Sequence, residues 1–343
     1  RSDVKIGAFL SGGVDSSSVV GMMKKLHDLF LLNTFSIGFE GKYDETPKID
    51  ILKKKFRTKH HHKYFYKKDI DLFLKKFFFV YDEPFADQSG FPTNMVSALA
   101  SKKVKVVLSG DGGDEIFGGY PKHKIAYFRH LFKKYTPKFV IKILENCSKM
   151  LLKNNFKNIQ KFGVILNVLS CKDWEFDMSF DPNNNFTPEV LNSWYKRSYE
   201  KLLKFMPFAE AVIKHDLFFK TLPDNFLQKV DRASMFNGIE VRSPFLDYRF
   251  VELSSKIPLE SKTDFKTTKK ILREVVKSFI PKEIIEDKNK NGFSPPFREW
   301  LDDKNYDYQN LFEELKDKNL LSNEVMKFFR ERFENNKTIK EVY

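Results

Sequence analysis

Apolar and polar positions follow two rhythms along this chain. Short runs rich in β-branched and aromatic residues, at 4–10, 31–38, 62–66 and 104–109, read as strands. Between them, residues 15–29, 46–56, 69–81 and 92–102 carry helical spacing, as in Val19, Val20, Met22, Met23, Leu26 and Leu29. Strands alternating with helices at this interval predict βαβ units and a parallel sheet. Ligands in such sheets sit beyond the carboxyl ends of the strands. After about residue 122 the strand signal fades. Amphipathic, lysine-rich helical segments continue to the end, interrupted by turn-prone stretches at 181–185 and 288–296, and the tail from Asp302 reads as a peripheral helix. The expectation is an α/β chain: a parallel sheet flanked by helices over 1–122, followed by a mostly helical part over 123–343, with no internal repeat.

Composition narrows this picture. With 343 residues, 41% of them hydrophobic, the chain can bury a substantial core. No apolar run reaches the roughly 18 to 20 residues of a membrane span, and the first 30 residues lack a signal-peptide pattern, so no membrane partner is expected. Two cysteines, Cys147 and Cys171, are too few for a disulfide scaffold and point to a reducing, cytoplasmic setting. The net charge of +14 accompanies lysines spread along the whole chain. We read it as a lysine-rich composition rather than the footprint of a nucleic acid or an acidic membrane, although it also helps to collect an anionic nucleotide. His60, His61 and His62 look like a metal cluster, but consecutive strand residues point to alternate faces and do not converge.

Two glycine-rich segments carry the candidate chemistry, and each follows a strand. The first, Leu10 to Ser17, reads L-S-G-G-V-D-S-S. A glycine-rich turn between strand and helix offers successive N–H groups to an anion, and the helix N-terminus adds partial positive charge. Ser16 and Ser17 add hydroxyl donors. A carboxylate at Asp15 repels phosphates unless a divalent cation lies between them. Neither G-x-x-x-x-G-K-[ST] nor G-x-G-x-x-G fits this loop. The other segment, Ser109 to Tyr120, reads S-G-D-G-G-D-E-I-F-G-G-Y, with three carboxylates, Asp111, Asp114 and Glu115, within five residues.

The segment from Leu10 resembles the pyrophosphate loop of the ATP pyrophosphatases, which cleave ATP between the α and β phosphates. The segment from Ser109 resembles a signature of the asparagine synthetase family. Further blocks agree: D-E-P-F-A-D-Q-S-G-F-P-T from Asp82, V-D-R-A-S-M-F-N-G-I-E-V-R-S-P-F-L-D from Val230, K-K-I-L-R from Lys269 and N-G-F-S-P-P-F-R-E-W from Asn291. They stand in family order over residues 3 to about 300. The resemblance implies an adenine nucleotide alpha-hydrolase-like (PP-loop) fold and ATP with Mg²⁺ as cofactors. By it, Leu10, Ser11, Gly12, Gly13, Asp15, Ser16, Ser17, Ile37, Ser109 and Gly110 would bind ATP, and Asp15 and Asp114 would hold the metal. Family relatives that form β-lactams carry tyrosine at position 111. Asparagine formers carry a carboxylate there, usually glutamate; Asp111 keeps the acid, one methylene shorter.

The implied reaction adenylates the side chain of aspartate, releases pyrophosphate, and lets ammonia displace AMP to give asparagine. Lys269 is the candidate for stabilising the pyrophosphate, Asp111 or Glu240 for the general base, and Arg232 and Arg242 for holding substrate. Family members usually carry an N-terminal glutaminase domain that opens on a nucleophilic cysteine. A chain that opens on Arg1 is expected to be part of a longer or processed protein, with ammonia supplied free, by a glutaminase domain or by a partner. A homodimer is open to it. Three alternatives stand beside this reading: a relative amidating another carboxylate in polysaccharide, peptide or antibiotic modification, an RNA-modifying relative, and a nucleotide-binding module without catalysis.

Overall fold

The computed structural model describes residues 2–26, 31–41, 44–83, 85, 87–154, 156–180, 189–287, 293 and 295. The expected turns at 181–185 and 288–296 (apart from 293 and 295), the end of the first helix at 27–29, most of the block from Asn291 and the tail from Asp302 lie outside these residues.

Strands β1 (Ile6–Phe9), β2 (Asn33–Gly38), β3 (Lys59–Tyr64), β4 (Val106–Leu108) and β5 (Glu240–Arg242) form one parallel sheet in the order β3-β2-β1-β4-β5. Helices α1 (Val14–Leu26), α2 (Thr46–Phe56), α3 (Asp69–Tyr81) and α4 (Gly90–Ser101) connect the first four strands. Two local signals frame α2: Pro47 in its first turn, and Arg57 in the left-handed conformation at its end. The third strand begins at Lys59, earlier than its sequence suggests, because β2 supplies a backbone partner for each residue from Lys59 to Tyr64. The fifth is only E-V-R, too short to leave a periodic signal, and it joins the sheet from the helical half of the chain.

That half comprises α5 (Gly113–Phe117), α6 (Pro121–Tyr135), α7 (Lys138–Leu152), α8 (Lys157–Ser170), α9 (Glu189–Leu203), α10 (Phe208–Phe218), α11 (Gln228–Phe236), α12 (Tyr248–Ser255), α13 (Leu259–Lys262), α14 (Lys270–Val276) and α15 (Lys282–Ile285). One core lies against the sheet around Ala8, Val20, Ile49, Leu52, Ile116 and Leu272. A second, around Phe35, Ile37, Phe65, Phe91, Val107 and Ala233, draws in α3, α4 and α11. A third joins α6, α8, α9 and α10 through Phe176, Tyr199 and Phe208. Each fully buried large side chain, such as Phe35 or Leu52, contributes about 1.5–3 kcal/mol.

The strand order fixes where a ligand can sit. From β1 the chain moves outward through β2 and β3, then returns to the other side of β1 with β4. The direction of winding therefore reverses between β1 and β4, and a crevice opens beyond their carboxyl ends. Both glycine-rich segments begin there.

Candidate active site

The first loop is held by its own side chains. The N–H of Leu10 donates to the carbonyl of Phe35 at 2.9 Å and ties the loop to the end of β2. The N–H of Ser11 donates to Ser16 Oγ at 3.2 Å, and Ser16 Oγ donates to the carbonyl of Gly13 at 3.2 Å. The chain then enters α1 at Val14, so the N–H groups of the first helical turn face the crevice. Ser17 Oγ is buried without a hydrogen-bond partner among the described residues. Ile37 is buried in the second core near the end of β2, where its side chain packs among apolar neighbours.

The second loop packs directly on the first. A Cβ on Gly110 would lie 2.7 Å from the N of Ser16 and 2.9 Å from Asp15 Cβ, so only glycine permits this approach. Ser109 closes the adjoining seam: its N–H donates to the carbonyl of Arg242 at 3.0 Å, and its Oγ lies 2.9 Å from Ser243 Oγ.

Lys269 joins the two loops. Its Nζ lies 2.5 Å from Asp15 Oδ2 and 2.7 Å from Asp114 Oδ1, and the side chain is 4% exposed. Burial alone lowers a lysine pKa, but the two carboxylates outweigh it and hold this ammonium above its ordinary value. The residue takes a left-handed backbone conformation, φ 54°, just before α14. A side chain with a Cβ adopts this region at some cost. Gly119 leaves room for the cluster, since a Cβ there would collide with Asp114 Oδ1 and Lys269 Cε.

Two carboxylates around one ammonium leave one negative charge within the cluster itself, with Arg273 in electrostatic reach of both carboxylates. Asp15 Oδ1 has no hydrogen-bond partner among the described residues. This donor set suits Mg²⁺, which takes one or two carboxylates and completes its shell with water and phosphate oxygens. Among the described residues no three or more His, Cys, Asp or Glu side chains gather as a self-sufficient metal cage. His60 and His62 instead flank Ser36 Oγ, at 3.0 and 2.7 Å, while His61 stacks on Phe35.

The remaining acids differ in character. Burial raises Asp111, with Asp15 and Asp114 adding to the rise; a hydrogen bond from Ser109 and the charge of Lys229 oppose it. Glu115 is buried and pushed up to about 7, chiefly by desolvation, with Tyr120 OH donating to its Oε1. Glu240 is exposed and gripped by Arg242, whose Nε donates at 2.6 Å and Nη2 at 3.3 Å, which holds the carboxyl below its usual range. Arg232 forms an exposed ion pair with Asp82. Of the sequence-derived candidates, the structure therefore brings Asp15, Asp114 and Lys269 into one cluster, with Asp111 within electrostatic reach. Glu240, Arg242 and Arg232 engage partners at the surface.

Sequence reasoning missed Lys229. This buried lysine on α11 donates to Asp87 Oδ2 at 2.9 Å and to Ser89 Oγ at 2.7 Å, and its charge acts on Asp111. One lysine among many carries no distinguishing signal. Its only trace is its place one residue before the V-D-R block.

A family described as asparagine synthase matches residues 1–336. A putative glutamine-hydrolysing asparagine synthetase of Methanocaldococcus jannaschii is 46% identical over 68% of this chain and 46% of its own length. Glutamine-hydrolysing asparagine synthetase 1 of Bacillus subtilis is 30% identical over 88% of this chain and 48% of its own. An amidase of Gibberella zeae is 25% identical over 88% of this chain and half of its own length. The chain thus spans about half the length of the curated relatives it matches.

Proposed function

Because the chain belongs to the asparagine synthase family, we propose that it forms an amide from a carboxylate at the expense of ATP, with L-aspartate as acceptor and ammonia as nitrogen donor. The observation that carries this reading is the double ion pair of Lys269. It draws the first loop, the second loop and the late K-K-I-L-R block to one point at the winding reversal.

ATP lies across the two loops, its phosphates toward the first turn of α1 and Lys269. An acceptor carboxylate oxygen attacks the α-phosphorus; the bond from that phosphorus to the bridging oxygen breaks, and pyrophosphate leaves. Lys269 and the loop N–H groups stabilise the charge that builds on it. Asp15 and Asp114 would hold Mg²⁺, which when bound supplies neutralising charge beside the phosphates. The nitrogen of ammonia then attacks the acyl carbon, the bond to AMP breaks, and the proton shed by nitrogen passes to Asp111. Burial raises its pKa above the ordinary carboxylate value, which makes it a stronger base than an exposed acid. Glu240, held acidic by Arg242, is the weaker candidate. Lys229 is the cation we assign to the acceptor side, because it is buried and its charge acts on Asp111, whereas Arg232 and Arg242 lie in exposed ion pairs.

Cys147 lies in α7 and Cys171 is buried at the end of α8, so we assign ammonia rather than glutamine as the substrate of this chain. The relatives named as glutamine-hydrolysing suggest a glutaminase as its source. The test is pyrophosphate release from Mg·ATP and ammonium, with and without L-aspartate, followed by product analysis. Release that depends on aspartate and yields asparagine with AMP supports the reading. Release with a different carboxylate keeps the adenylation and replaces the acceptor, an outcome that the amidase relative makes worth including.

A further inference from the structure

The α7–α8 hairpin stands apart from the active-site chemistry. On α7, Phe139, Ile143 and Met150 recur at spacings of four and seven, which places them in one stripe along the helix. All three are more than half exposed: Phe139 68%, Ile143 55% and Met150 69%. On α8, Phe162 and Ile165 are exposed in the same way. The helices pack on each other, and α6 joins the hairpin to the remainder of the helical part. Its exposed apolar residues are therefore not consumed by the hairpin's own core.

Charge identifies what such a surface meets. Residues 138–170 contain six lysines and one acid, Glu145, a net of +5. Lys142 and Lys149 both bind Glu145, at 3.0 and 2.7 Å. Lys138, Lys142 and Lys149 form a row beside the apolar stripe of α7. A second copy of the hairpin would set like charge against like charge. A nucleic acid would satisfy the lysines and leave the aliphatic and aromatic stripe without a partner. A bilayer with anionic headgroups satisfies both: apolar side chains enter the boundary between headgroup and acyl chain, and lysine stems reach back to the phosphates. At about 1.5 Å per residue, helices of 15 and 14 residues fall short of the roughly 30 Å hydrocarbon core. They would lie in the interface plane, and no helix among the described residues is long and apolar enough to cross.

We propose that the exposed apolar stripes of α7 and α8, with their flanking lysines, dock on an anionic lipid bilayer. The attachment is peripheral and reversible, and it weakens with salt.

The test is co-sedimentation of the full chain with vesicles of phosphatidylcholine alone and of phosphatidylcholine mixed with phosphatidylglycerol. The expected result is salt-sensitive binding to the anionic vesicles, at least about tenfold stronger than to the neutral ones. The double variant Phe139→Ser, Phe162→Ser should weaken it about tenfold or more with an unchanged far-ultraviolet circular dichroism spectrum, because both rings are exposed. Lys153, just past α7, and Lys161, on α8, are exposed, and Lys153→Gln with Lys161→Gln should weaken it through charge alone. Absence of binding to anionic vesicles overturns the proposal, as does binding that both double variants leave intact. A dimer or an RNA complex that the phenylalanine variant abolishes, without vesicle binding, assigns the stripe to that occupant and overturns it equally.

Discussion

At the scale of single residues, Lys269 is where three separated parts of the sequence meet. Replacing it with methionine keeps the stem and the left-handed backbone but removes the charge that holds Asp15 and Asp114 together. Lys269→Met is expected to lower kcat/KM for pyrophosphate release by about 10²–10³, the usual effect of removing one preorganised stabilising group, measured as initial rates with Mg·ATP, ammonium and aspartate. Asp111→Asn should separate the half-reactions. Amide formation is expected to fall by about 10²–10⁴ while pyrophosphate release is better preserved, which the ratio of asparagine to pyrophosphate reports. Glu115 gives a pH signature. Its carboxyl titrates at about 7 in the fold against 4.5 when unfolded, so the native state binds more protons between those values. Its contribution to stability is present below about pH 4.5 and is lost as pH rises through 7, a decline on the order of 3 kcal/mol. Glu115→Gln keeps an acceptor for Tyr120 and should flatten that part of the stability curve, measured by urea unfolding at pH 5 and pH 8.

At the scale of elements, the site rests on contacts that bridge distant segments. Helix α11 meets the segment that precedes α4 through Gln228 with Glu83, Lys229 with Asp87 and Ser89, and Arg232 with Asp82. Only the Lys229 link is buried. Lys229→Met is expected to cost about 3–5 kcal/mol, because it strands the Asp87 carboxylate, with chemical denaturation as the measurement. Arg232→Ala, which breaks an exposed pair, should leave the unfolding midpoint nearly unchanged. The same contrast explains what the sequence could reveal. Helices α2 and α3 were legible to the residue, since period and boundary residues are local properties. The two loops were legible as turns because each glycine-rich run follows a β-rich one, while the roles of their residues came from the family resemblance. β5 was not, because E-V-R becomes a strand only through its pairing with β4. β3 was displaced because its register comes from β2 rather than from its own histidine-rich run. Burial of Lys229 and the pairing of Arg232 depend on partners 142 and 150 residues away, which no local pattern encodes, whereas Arg242 pairs with Glu240 two residues earlier on β5.

At the scale of the whole molecule, the +14 charge has more than one meaning. Much of it is lysine-rich composition, yet on the α7–α8 hairpin it borders exposed apolar stripes, and there it becomes a surface with a partner of its own. The expectation of no membrane partner rested on the lack of a spanning run and on reading the charge as composition, and the proposed docking surface departs from it. The chain also covers about half the length of its curated relatives, while both glycine-rich loops, Lys269 and Lys229 all lie within it. We infer that these parts suffice for adenylation. Pyrophosphate release from Mg·ATP and ammonium with L-aspartate, comparing the chain with Lys269→Met, is the decisive measurement. Aspartate-dependent pyrophosphate is expected, with AMP and asparagine in equal amounts, and a loss of about 10²-fold or more in the variant. ATP binding without pyrophosphate for any acceptor carboxylate, or release that Lys269→Met leaves unchanged, would contradict that inference.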